Sequence, residues 1–340
     1  MKAEHYPTVM IGYHKRQKHY IKVTVILLII VIIFAALMMI CGNTVYSPKT
    51  IWRVLSGEEI KGAVFAIKTL RLPRMLAAIL CGIAFGMAGN TFQVLLGNSL
   101  ASPDIIGVTS GASVAAVFGI LVLGLSGSAI SLMAVVSGLT VTGLIFLLSH
   151  GNGFSNARLI LTGIGVQAFL NSLISWMLLK ASEYDVPSAL RWLSGSLNGV
   201  TMNKIPGLGQ AVLLAGFGIL LLNRHLCVLQ LGDAHAVILG INLKITRLLL
   251  ILLALIQIAF ATAVTGPISS VAFLSGPIAA RLSGQGKSNM LTAALVGAVL
   301  VPASDLVGQL VLPAQYPVGV VTGVLGAPYL LFLLLRMNKS

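Results

Sequence analysis

Residues 71–120 read RLPRMLAAILCGIAFGMAGNTFQVLLGNSLASPDIIGVTSGASVAAVFGI, and this stretch decides the fold. Two apolar runs of near-bilayer length flank a polar hinge, Asn98-Ser99-Leu100-Ala101-Ser102-Pro103-Asp104. Arg71 and Arg74 stand at the mouth of the first run. The pairs Gly82/Gly86 and Gly107/Gly111 have the four-residue spacing that lets helix backbones approach inside a membrane.

The rest of the chain agrees. Of 340 residues, 57% are hydrophobic and 9% charged, with a mean hydropathy of +0.99. A soluble globule carries about a quarter charged residues, so this is the composition of a polytopic membrane protein. The apolar runs are continuous, without the period-two alternation of a β-barrel.

Ten spans are expected, at about 21–40, 72–96, 105–124, 127–148, 158–180, 205–222, 246–264, 268–283, 289–311 and 317–335. Residues 1–19 read as a basic cytoplasmic tail, and 20–340 as one transmembrane domain. The first run is too long for a signal-peptide core and lacks a small-residue cleavage site, so it reads as a retained helix. Pro267, Pro277, Pro302 and Pro317 predict kinks or breaks in the last half.

The net charge of +14 comes from 22 Lys+Arg against 8 Asp+Glu. These bases sit in loops and at helix ends, where orientation and anionic headgroups account for them without nucleic acid. With both termini inside, 13 of the 22 basic residues fall inside. Lys68, Arg71 and Arg74 are the main exceptions. Either the topology is inverted or these residues lie outside for another reason. Cys41, Cys81 and Cys227 have no metal-ligand spacing and read as small packed hydrophobes.

Several features could carry chemistry. Gly286-Lys287-Ser288 ends like a phosphate-binding loop, but Arg281 stands where its first glycine belongs and a membrane helix precedes it. No nucleophile–base pair or metal constellation is visible, so the chain reads as a mover of cargo with no cofactor of its own. In the fifth span Gln167, Asn171 and Ser175 share one helix face. That face meets either other helices or a water-filled path. Asp305 is the only acid within a span and is either paired or a proton carrier. In the polar segment 223–246, Asp233 can cap a short helix Ala234–Leu239 that Gly240 ends. Such a helix either docks into a soluble partner or packs on its own bundle.

At these residues the chain resembles the FecCD-type permeases, membrane subunits of ABC importers for iron-siderophores, haem and vitamin B12. The resemblance is carried by the quoted stretch up to Ser113, then LGDAHAVILGINL, GPISSVAFLSGPIAARL and YPVGVVTGVLGAPYLLFLLLR, in that order over about residues 70–336. It implies an all-α, ten-helix fold of the type II, vitamin B12 permease kind, with helices 2–5 and 7–10 as inverted halves. It implies as partners a second permease subunit, identical or similar, two cytoplasmic ATPase subunits that bind ATP-Mg, and an external substrate-binding protein.

By the same resemblance Arg71 and Arg74 would receive acidic residues of the binding protein, which accounts for their position outside. A third docking arginine of the B12 permease falls at Gln309, a departure from the pattern. Asn98 and Leu100, with Asn156 and Ala157, would form the cytoplasmic gate. The segment holding Gly232, Asp233, Ala234, Leu239 and Gly240 would be the coupling helix. Where many relatives have Pro-His, Pro277 is followed by Ile278. The expected function is therefore the permease half of a binding-protein-dependent importer in a prokaryotic cell membrane, working by ATP-driven alternating access. Ferric siderophore is the first expectation for cargo, B12 or haem the second, and an ion-coupled carrier using Asp305 the rival from another class.

Overall fold

The structure, a computed structural model, describes residues 5–149, 156–284 and 288–337. The phosphate-loop-like Gly286 and Lys287 lie outside the described residues.

Among the described residues fourteen α-helices follow one another. Four are short: α2 (Pro48–Leu55), α7 (Val186–Leu193), α9 (Asn223–Leu229) and α10 (Asp233–Ile238). The others carry the ten expected spans: α1 (His5–Ile40), α3 (Leu72–Leu96), α4 (Val108–Leu121), α5 (Ser128–Ser149), α6 (Asn156–Lys180), α8 (Ile205–Leu221), α11 (Leu243–Thr265), α12 (Val271–Ser283), α13 (Met290–Leu306) and α14 (Val318–Met337). Among the described residues, seven helical segments are long and apolar enough to cross a membrane by themselves.

The expected spans at 105–124 and 268–283 are shorter than their apolar runs. Gly107 turns left-handed, at φ +76°, and separates a single 3-10 turn from α4. The chain Gly266–Ser270 is non-helical before α12. With 14 and 13 residues, α4 and α12 reach about 20 Å, against about 30 Å of hydrocarbon. Irregular backbone at that depth is tolerated where protein or a cavity surrounds it. Pro267 and Pro317 fall in the breaks before α12 and α14, whereas Pro277 and Pro302 lie inside helices. From His5 onward α1 runs through the residues read as a tail, so Lys15, Arg16 and Lys18 are helical and continuous with the first span.

The core is organised around α3, which packs on α8, α11, α12 and α13. Small residues make this possible. A Cβ placed on Gly82 would lie 2.4 Å from the Gly297 carbonyl oxygen, and one on Gly89 only 1.8 Å from that of Ala272. Backbone meets backbone there, which buries area that no larger side chain would leave accessible. Cys81, on the same helix, is buried and packs as a hydrophobe.

At the N-terminal end of α3 the helix widens into a π-type turn over Phe65–Arg71, and α13 ends in another over Val307–Val311. Such turns break the i→i−4 ladder and recur at functional sites.

Candidate functional site

Among the described residues, cavities lie at the start, middle and end of α3. The middle one has a volume of about 430 Å³. Gln167, Asn171 and Ser175, on one face of α6, form one wall, the second of the two alternatives their spacing left open. Ser175 donates to the Asn171 carbonyl at 3.0 Å, while the amides of Gln167 and Asn171 make no side-chain hydrogen bond among the described residues. The face therefore lines a cavity and does not bond to a neighbouring helix.

The opposite wall escaped the sequence reading. It holds Asp104, Thr109, Ser110 and Ser113 from the hinge and α4, and Ser269 from the break before α12. Asp104 accepts from Thr109 at 2.6 Å and from Ser102 at 3.0 Å, which fixes its carboxylate. Thr109, Ser110 and Ser113 carry the signal that marked α6, small polar residues at helical spacing in an apolar span. Among the described residues the tenth span contributes none to this cavity.

The break over Gly266–Ser270 is braced by loop crossings. Ser196 donates its N–H to the Thr265 carbonyl at 2.7 Å, and Gly319 to that of Gly195 at 3.0 Å. A Cβ on Gly195 would lie 2.2 Å from the Pro267 carbonyl oxygen, so only glycine lets these loops cross. Ser270 itself sits at φ +67°, a conformation that costs a non-glycine residue energy and persists only where surroundings fix it.

At the start of α3, a cleft of about 320 Å³ contains both Arg71 and Arg74, together with Asn43, Asn198, Gln309 and Gln315. Arg71 donates to the carbonyls of Met39 and Ile40, each at 2.8 Å, and to that of Thr44, and it lies 4.9 Å from the Tyr46 ring centroid. Arg74 forms a two-pronged ion pair with Asp305, Nε to Oδ2 and Nη2 to Oδ1, both at 2.8 Å. Gln309 adds a bond to Oδ2 at 2.6 Å. Asp305 is thus the paired acid of the two alternatives.

The third cavity, about 550 Å³, lies at the end of α3 and is walled by Asn98, Gln93, Gly232, Asp233 and Arg247 among others. Gly97 closes α3 in the left-handed region, and Asn98 accepts the Leu100 N–H at 2.8 Å to shape the hinge. The turn Pro103–Ile106 beyond Leu100 packs on α6, the helix that opens with Asn156 and Ala157. Ala157 is exposed, and the Asn156 side chain lies outside the described residues.

The short helix expected after Asp233 is present as α10, with one correction. Asp233 is its first residue and does not cap it, because Arg247 of α11 draws the carboxylate away at 2.6 Å. Gly232, at φ +96°, precedes the helix, and Gly240, at φ +81°, ends it. Ala236 is buried, while Ala234, Val237, Ile238 and Leu239 are exposed, Ile238 by 81%. An apolar edge is thus turned away from the bundle.

Apolar helices around a polar mid-depth cavity, with a polar cleft at either end of the central helix, define a membrane transport subunit. Residues 27–336 match the FecCD transport family, and the chain belongs to that family.

The ferric enterobactin transport system permease protein FepG of Escherichia coli is 38% identical over 88% of this chain and 91% of its own. The achromobactin transport system permease protein CbrC of Dickeya dadantii is 36% identical over 87% and 86%. Among solved structures, a metal-chelate type ABC transporter in an inward-facing conformation superposes with a TM-score of 0.83 at 26% identity, covering 93% of this chain and 99% of the other.

Proposed function

We propose that this chain is the membrane-spanning subunit of a binding-protein-dependent ABC importer for ferric siderophores in a prokaryotic cell membrane. The observation that carries this reading is the polar cavity on the Gln167–Asn171–Ser175 face, in a chain whose relatives include siderophore permeases. Its hydroxyls and amides suit an oxygen-rich chelate that must be held weakly and let go.

In the proposed cycle the subunit pairs with a second permease, identical or similar. A loaded binding protein docks acidic side chains onto Arg71 and Arg74. Cargo enters the cavity, and ATP-Mg binding by two cytoplasmic ATPase subunits moves α10. That motion opens the gate formed by Asn98, Leu100, Asn156 and Ala157. The exposed apolar edge of α10, at Ile238 and Leu239, supports the ATPase contact. The Asp305–Arg74 pair weighs against an ion-coupled carrier, since an acid committed to an arginine does not cycle protons.

Reconstitution with the ATPase and binding protein tests the reading through uptake of labelled ferric complexes into vesicles. ATP-dependent accumulation of a ferric siderophore is expected. Accumulation of labelled B12 or haem in its place would overturn the cargo, and uptake without ATP would overturn the mechanism.

A further inference from the structure

We infer that Asp305 is an internal counter-ion of the docking cleft, so that an acidic side chain of the partner reaches Arg74 only by sharing it with Asp305. This rests on the docking role proposed for Arg71 and Arg74.

The two arginines are held differently. Arg71 is held by neutral groups, three carbonyls and the face of Tyr46, so its charge stays uncancelled. Arg74 gives its Nε and one Nη2 proton to a carboxylate, leaving the Nη1 edge unspent. Asp305 is 1% exposed and the Arg74 side chain 21%, so the arginine stands between the buried acid and the cleft. No carboxylate lines the cleft itself among the described residues, Asp305 lying behind Arg74. An approaching acid therefore meets two cations in contact range, of which only one is uncompensated.

The surrounding backbone suits such an exchange. The π-type turn before α3 ends at Arg71, and the one after α13 begins two residues past Asp305 and contains Gln309. Both lie outside the glycine-locked contact of α3 with α13, so either can shift its side chains without disturbing that contact.

Removing the Asp305 charge has two opposed effects: Arg74 gains net charge toward the partner and loses a fixed geometry. Charge dominates, because the lost group is an ion at hydrogen-bond distance and shielded from solvent, whereas the geometry is one rotamer. The counter-ion thereby holds docking weak enough for a partner that must leave in every cycle.

The experiment measures binding-protein affinity for the whole importer, with its ATPase subunits, in lipid nanodiscs, counted per folded complex. Asp305→Asn is expected to tighten docking by about tenfold and to steepen its salt dependence. Asp305→Ser, which leaves Arg74 room to be solvated from the cleft, is expected to act in the same direction. Adding Arg74→Ala to Asp305→Asn is expected to abolish the gain and fall below wild type. Wild-type or weaker docking by both Asp305 variants, with the double variant weaker still, overturns the counter-ion role and leaves the docking reading standing. Wild-type docking by the double variant overturns the docking reading itself, and this inference with it.

Discussion

The backbones of Gly82 and Gly297 touch: a Cβ on Gly82 would lie 2.4 Å from the Gly297 carbonyl oxygen, and one on Gly297 only 2.0 Å from that of Gly82. This reciprocal contact joins α3 to α13 and sets the distance between the central helix and the second half of the chain. Gly82→Val is expected to lower stability by about 3 kcal/mol or more, since neither backbone can yield as a side chain would. Gly143 has nothing within 4 Å of its Cβ position, so Gly143→Val is the control and should change little. Thermal unfolding in detergent compares the two, and equal midpoints would contradict the contact.

The apolar edge of α10 carries a second prediction. Ile238→Asp places a charge where an ATPase subunit would cover it. The expected cost is about 2 kcal/mol, roughly a thirtyfold loss in affinity for that subunit. Co-purification and titration of the ATPase read this directly, and folding should be intact because Ile238 faces away from the bundle. Wild-type affinity would move the coupling surface elsewhere.

In the middle cavity, Gln167→Leu and Asn171→Leu replace unpaired amides with apolar groups of similar size. Uptake by the reconstituted importer should fall by about tenfold while docking of the binding protein is unchanged. A loss of docking with transport per docked complex preserved would remove these residues from the path.

Arg71 serves structure and charge together, and Arg71→Lys separates the two. The lysine keeps the cation but cannot donate to three carbonyls from one plane. Stability is expected to drop by about 1–3 kcal/mol, with docking within a few fold of wild type. The double variant Arg71→Glu/Arg74→Glu should abolish docking, and its unchanged affinity would remove both arginines from the interface.

Much of this was legible from residue type and spacing. Continuous apolar runs located all ten principal helices, and the Gly82/Gly86 spacing marked the close approach of α3. The i, i+4, i+8 pattern of Gln167, Asn171 and Ser175 marked a shared polar face, and left open whether it met another helix or a cavity. What spacing could not show was distance across the chain. Arg74 and Asp305 are 231 residues apart, and nothing local to either foretells the pair. Asp233 looked like a helix cap because its local sequence fits one, but Arg247 on the next helix outcompetes the backbone N–H groups. Thr109, Ser110 and Ser113 were readable by the rule that found α6. Their span is broken by Gly107, whose positive φ detaches the turn that holds Asp104, and that break has no periodicity to read.

In the proposed cycle the Asn171 face is reached from one side of the membrane at a time. The most direct measurement places a single cysteine at Asn171, with Cys41 and Cys227 replaced by serine and the inert, buried Cys81 kept. A membrane-impermeant thiol reagent is then applied to either face of vesicles holding the whole importer. Labelling should switch sides when ATP binds. Labelling from the same side with and without nucleotide, in a complex that hydrolyses ATP, would contradict the account.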